Sequence, residues 1–259
     1  MTRFASLGSG SRGNGLVFQA GATTVLLDCG FKLRDADARL ARLGLQPGQL
    51  AGILVTHEHS DHAGGVLMLA RRHALTVWTT YGTWQAMLSD SRDDGAGVAV
   101  SLIEGPGHFA VGEVAVQAYT VPHDAREPVQ FVLSDGTRRV GVLTDAGSVT
   151  PHMQQALTGC DALVLETNHD RVMLQEGPYP QWLKQRIGGP FGHLENAAAA
   201  ALLCTLDRAR LQHVVAAHLS EQNNTPQRAR SCLEEALGCA PGWVAIADQV
   251  GGFAWRDLD

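Results

Sequence analysis

A chain of 259 residues is long enough to bury a substantial core, as one large unit or two small ones, and with 45% apolar and 18% charged residues it has an ordinary globular composition. Its 26 acidic against 20 basic residues, a net charge of −6, weigh against a broad basic surface for nucleic acid. They do not exclude a nuclease, because bound divalent cations would bring positive charge to the point where a phosphate sits. No apolar run approaches the roughly 18–20 residues that cross a bilayer, so no membrane partner is expected, and the N-terminus lacks a signal-peptide core. Cys29, Cys160, Cys204, Cys232 and Cys239 are odd in number and form no C-x-x-C pair, the pattern of small apolar residues in a reducing cytoplasm.

A strand is expected over 4–7, followed by Gly8-Ser9-Gly10-Ser11-Arg12-Gly13-Asn14-Gly15. This glycine-rich loop reads either as a phosphate cradle, although it lacks a Gly-Lys-Ser/Thr ending, or as a tight connection between strands. Residues 16–20 and 24–28 read as a hairpin, and 32–43 as a helix that Gly44 stops. The apolar run Ile53-Leu54-Val55 is a buried strand that delivers Thr56-His57-Glu58-His59-Ser60-Asp61-His62. A helix over 63–73, a strand over 77–80 and a helix over 83–88 come next. Strands over 98–103, 113–119, 130–133 and 139–143 then follow one another, joined by turns such as Ser134-Asp135-Gly136-Thr137. Beyond them the pattern alternates: helix 151–157, strand 162–165, helical segments through Met173 and over 182–187, helix 194–205, strand 213–217, helix 226–237, and short strands over 243–246 and 253–255. Thr225-Pro226 supplies a hydroxyl cap and a first-turn proline for the last helix. Strands grouped in each half without a linker predict one α/β domain over 1–259, two sheets packed together with helices outside.

Metal-ligand chemistry is concentrated after the strand over 53–55. In extended backbone alternate side chains point the same way, so His57 and His59 can converge on one cation. Asp61 and His62, where the chain turns into a helix, can reach a second. The remaining ligands should lie at other strand ends. His123 follows the strand over 113–119, Asp145 follows Val140-Gly141-Val142-Leu143-Thr144, and His218 follows Val214-Val215-Ala216-Ala217. His193, at the start of a helix, is expected at the site, and His169 stands between a site role and a structural one. His73, His108, His152 and His213 read as surface or turn residues, and Glu58 and Glu166 as support for the ligands.

The series His57-x-His59-x-Asp61-His62, His123, Asp145 and His218 resembles that of the metallo-β-lactamase superfamily. Narrower motifs, among them Ser6-Leu7-Gly8-Ser9-Gly10-Ser11, Val121-Pro122-His123-Asp124-Ala125, Leu165-Glu166-x-Asn168-His169-Asp170, Gly177-Pro178-Tyr179-Pro180 and Ala217-His218-Leu219-Ser220, resemble YycJ/WalJ-like proteins across nearly the whole chain. One departure is Glu195, where members of that family usually carry serine. The resemblance implies a four-layer αβ/βα sandwich with a dinuclear site on one rim. It implies that His57, His59 and His123 bind one metal and Asp61, His62 and His218 the second, with Asp145 bridging. Imidazole and carboxylate ligands suit zinc, manganese or iron. Water held between two such ions becomes a nucleophile near neutral pH, which Asp61 could orient while His193 protonates the leaving oxygen.

The family association implies a 5′ to 3′ exonuclease acting on double-stranded DNA. Ser11, Asn14, Asn168, Tyr179 and Asn196 are its expected substrate contacts, with Arg126, Arg171, Lys184 and Arg186 as candidates for phosphate. The alternative is a metallo-hydrolase of a small lactone, thioester or cyclic phosphodiester. A binding or redox protein on the same fold ranks behind both.

Overall fold

The computed structural model describes residues 1–259. Strands β1 (Thr2–Gly8), β2 (Gly15–Ala20), β3 (Thr23–Leu27), β4 (Gly52–Leu54), β5 (Thr76–Thr80) and β6 (Val100–Ile103) lie side by side in chain order. A second sheet takes β7 (Gly107–Val111), β8 (Val114–Thr120), β9 (Val129–Ser134), β10 (Arg139–Leu143), β11 (Ala162–Glu166), β12 (His213–Ala217) and β13 (Ala245–Ile246) in the same manner. Strand β14 (Phe253–Leu258) returns to pair antiparallel with β1. Each sheet is antiparallel through its first strands and parallel through its last, the change falling at β3 in one and β10 in the other.

Side-chain alternation builds the layers. Phe4, Phe18 and Leu54 of the first sheet meet Phe131, Val142 and Val215 of the second in a core between the sheets. Their strand neighbours Ala5, Val17 and Ile53 point the other way, onto α1 (Leu33–Arg42), α3 (Val66–His73) and α4 (Tyr81–Ser91). On the far side Val132, Leu143 and Val214 pack on α5 (Pro151–Leu157), α8 (Asn196–Thr205) and α9 (Pro226–Leu237). The result is the expected αβ/βα sandwich. Two further helices, α6 (Arg171–Glu176) and α7 (Gln181–Ile187), lie between β11 and α8, and α7 buries none of its residues.

Several local expectations change. Strand β7 is not expected from the sequence: His108 and Ala110 are exposed and Gly107 and Phe109 only half-buried, so its apolar signal is weak; it hydrogen-bonds to β8 across Gly112-Glu113, with Val111 opposite Val114. The helix expected over 63–73 starts earlier, as α2 (Ser60–Ala63), and breaks before α3. A side chain at Gly65 would place its Cβ 1.8 Å from the Phe31 carbonyl oxygen, so the chain passes too close there for any other residue. The strand expected over 243–246 shrinks to β13.

Candidate metal centre

The ends of β4, β8, β10, β11 and β12 share one rim, and the chain places a polar side chain just past each. His57 follows β4 and is 1% exposed. His59 precedes α2, and Asp61 and His62 lie on it. His123 follows β8, Asp145 follows β10, and His218 follows β12, while His193 enters from the loop before α8. Ligand-type atoms of His57, His59 and His123 lie within 4.8 Å of one another, and so do those of Asp61, His62 and His218. Asp145 stands between the groups: Oδ2 is 2.9 Å from His62 Nε2, and Oδ1 is 3.2 Å from His218 Nδ1 and 3.9 Å from His123 Nε2.

Buried polar atoms without aligned hydrogen bonds occur here, namely His57 Nε2, His218 Nδ1 and Asp145 Oδ2. Such atoms are costly unless something completes their coordination. Nitrogen and carboxylate oxygen without thiolate, converging from several strand ends, fit divalent ions such as zinc, manganese or iron.

Outer contacts aim these side chains. Asp28 Oδ2 lies 2.8 Å from His62 Nδ1, which leaves Nε2 for the centre. The same carboxylate accepts from the Thr56 N–H and hydroxyl, each at 2.8 Å. His123 Nδ1 donates to the Gly192 carbonyl at 3.0 Å, again freeing Nε2. Glu166 Oε1 holds His193 Nδ1 at 2.8 Å, while Oε2 accepts from the Ala146 N–H at 2.8 Å. Asp28 and His218 have φ of 59° and 53°. Left-handed backbone at non-glycine residues costs on the order of 1–3 kcal/mol each, and it clusters at functional sites. Asp28 was not singled out from the sequence, although Val25-Leu26-Leu27 followed by a carboxylate is the same signal that marked Asp145. Glu58 does not support a ligand: its Oε1 accepts from the Arg126 N–H at 2.7 Å.

Over the centre lies an open cleft of about 360 Å³, lined among others by Ser11, Asn168, Tyr179 and Arg186 together with Asp61 and His193. Two expected substrate contacts lie elsewhere. Asn14 is buried beneath the centre, where its amide donates to Asp61 Oδ2 at 3.2 Å and lies 3.0 Å from His62 Nε2. Its own carboxamide oxygen accepts from the Gly10 N–H, so the glycine-rich loop is a tight connection that braces Asp61 and His62. Asn196 is also buried, pairing with Asn224. Arg186 is tied to Asp124 at 2.6 Å, Arg171 to Glu195 at 2.7 Å, and Lys184 donates to the Gln175 carbonyl. His169 and Arg171 line cavities behind the cleft.

A family model described as a beta-lactamase superfamily domain matches residues 23–218. Exodeoxyribonuclease YycJ of Bacillus anthracis is 34% identical over 235 residues, 90% of this chain and 88% of that protein. The chain belongs to the metallo-β-lactamase superfamily. Within it, exodeoxyribonuclease WalJ of Streptococcus pneumoniae is 32% identical over 246 residues, 94% of this chain and 91% of that one. The metallo-β-lactamase fold protein YhfI of Bacillus subtilis superposes with a TM-score of 0.74 at 17% identity, covering 99% of this chain and 100% of that chain. No helix of this superfamily member is long and apolar enough to cross a membrane.

The charge distribution suits a metallo-β-lactamase centre. Burial and the neighbouring His62 push the His57 imidazole well below its usual range, so it stays neutral and able to ligate. Burial opposes ionisation of Asp145, yet His218 and His62 outweigh it and hold the carboxyl well below the usual carboxylate range. Burial also opposes charge on His193 and His218, but the carboxylates beside them lift the two, to about 10 and about 9 in the metal-free protein.

Proposed function

We propose that this chain is a metal-dependent exonuclease that hydrolyses double-stranded DNA from 5′ ends. His57, His59 and His123 would hold one divalent ion and Asp61, His62 and His218 a second, with Asp145 between them. The observation that carries the substrate is the relationship to YycJ and WalJ, at 34% and 32% identity over nine-tenths of the chain or more. An open cleft, polar apart from Tyr179, Leu183, Ile187 and Leu219, fits a strand laid across the centre. A small-molecule hydrolase would call for an enclosed, mostly apolar pocket, and gains no support from this one.

Bound divalent ions supply an activated water and the positive charge that stabilises a phosphorane-like transition state. Asp61, 20% exposed at the side chain and lining the cleft, would orient the attacking water. His193 is held through Nδ1 by Glu166, so its Nε2 is the free donor for the leaving oxygen. In the metal-free protein Asp145 and Glu166 overcome burial and lift the imidazole to about 10, so the ring there is protonated at neutral pH.

The decisive experiment uses metal-stripped protein reloaded separately with manganese and zinc, on linear duplex DNA labelled at either end, beside His57→Ala. Release of nucleotides from the 5′ end by the wild type alone is expected, with a steep loss of rate as salt rises. Intact DNA with both metals, alongside hydrolysis of a small phosphodiester or thioester, would overturn the nuclease reading.

A further inference from the structure

Glu195, which stands where the resemblance leads to serine, does not cap the helix it precedes: it makes no side-chain cap to α8. Its two carboxylate oxygens each accept from Arg171, at 2.7 Å from Nε and 2.7 Å from Nη2. Arginine grips phosphate with the same parallel two-bond fork. The Asn168 N–H donates to the Leu194 carbonyl and the Asn196 N–H to the His169 carbonyl, each at 2.9 Å, so the backbone holds the two residues side by side.

The surroundings carry two cations, Arg171 and Lys184, against the Glu195 carboxylate, and are incompletely satisfied. His169 is 2% exposed, and its Nδ1 is buried without a hydrogen-bond partner. The ring lines two cavities that share the Arg171–Glu195 pair. One, of about 500 Å³, is lined by Gln181, Lys184 and Gln185; the other, of about 460 Å³, reaches His193. Lys184 has no carboxylate partner, since its ammonium donates only to the Gln175 carbonyl. Helix α7 is the dividing wall: Leu183, Arg186 and Ile187 line the catalytic cleft, whereas Gln181, Lys184 and Gln185 line the cavity behind.

We propose that His169, Arg171 and Lys184 form a second anion subsite that takes a phosphate group, and that Glu195 fills it as an internal carboxylate which the phosphate displaces. The Arg171 guanidinium is 69% exposed while Glu195 is 19% exposed, so solvent screens the arginine side of the pair and leaves it open to a competing dianion. The inference rests on the exonuclease reading only for the source of the phosphate, a strand terminus rather than free inorganic phosphate.

Inorganic phosphate is titrated into the zinc-loaded full chain while the His169 ring and Arg171 guanidinium signals are followed by NMR. Saturable shifts at both are expected, with Kd lowered roughly fivefold by Glu195→Gln, the equivalent of losing one exposed ion pair. Glu195→Ser, which supplies a hydroxyl cap to α8, should act likewise and guards against a folding artefact. Arg171→Ala should remove the shifts. Unmoved signals in both the wild type and Glu195→Gln, or an unchanged Kd in both Glu195 variants, overturn the subsite. Duplexes with 5′-phosphate and 5′-hydroxyl ends then separate the sources: a difference in Kd that Arg171→Ala abolishes assigns the strand terminus, and equal Kd values assign free phosphate. Failure of DNA cleavage would leave the NMR signature intact, and loss of the signature would leave cleavage intact, so the two readings fail separately.

Discussion

Glu166, fully buried at the end of β11, lies 2.8 Å through Oε1 from Nδ1 of His193 and 3.6 Å from Nδ1 of His218. One carboxylate thus orients a histidine on the cleft wall and touches another that belongs to the centre. Its second oxygen accepts from the Ala146 N–H, directly after Asp145, so the residue also fixes the loop that carries the central carboxylate. Glu166→Gln can keep the Ala146 bond but removes the charge beside His193. The pKa of His193 should then fall from about 10, and kcat by roughly 10–100-fold, the usual cost of losing such an outer partner. An NMR titration that still gave about 10 would assign the effect to Asp145 alone.

Asp28→Asn sets an amide against His62 Nδ1 where a carboxylate now accepts. The imidazole loses the partner that fixes its tautomer, and Thr56 keeps only part of its pair of hydrogen bonds. Metal affinity should drop roughly 10–100-fold, and the fold should lose about 1–3 kcal/mol from a disturbed buried network. Chelator competition and urea unfolding of the metal-free protein measure the two separately; unaltered affinity would show that Asp28 is structural only.

Removing the ions with a chelator should abolish hydrolysis, with recovery on adding manganese or zinc. His57→Ala should be inactive under either metal while circular dichroism shows the wild-type fold, because the sheets close around the apolar core between them rather than around the ligands. Unfolding on chelation would mean that the ions hold the structure as well.

The pH dependence of metal binding follows from His218. Its imidazolium persists to about 9 in the folded metal-free protein, against 6.5 when unperturbed. That proton therefore stabilises the metal-free fold fully below about pH 6.5, and the contribution disappears as pH rises through about 9. A cation requires the neutral ring, so binding expels the proton, and apparent affinity should climb about tenfold per pH unit across this window. Competition titrations with a metal-binding dye check it; a flat profile would remove His218 from the ligand set.

Much of the centre was legible because its signals are local. His57, His59, Asp61 and His62 are neighbours in the chain, and His123, Asp145 and His218 each follow an apolar strand, so a short window contains each signal. The layered architecture was legible for the same reason: Phe18 and Val17, or Val142 and Leu143, alternate between two cores as strand geometry requires.

What tertiary structure alone decided are the pairings between segments far apart in the chain. Strand β3 lies parallel to β4, with Leu27 opposite Leu54, and only that register brings Asp28 under Thr56 and His62. Asn14 and Asn196 carried the right chemistry for substrate, but the fold buried both as braces. Arg171 read as a candidate for phosphate and Glu195 as a departure from the family's serine, and nothing in the sequence joined them; two backbone hydrogen bonds between the segments around them set the residues side by side. The periodicity of side chains is written residue by residue, whereas the partner of a buried polar group depends on which strand ends and loops are packed beside it.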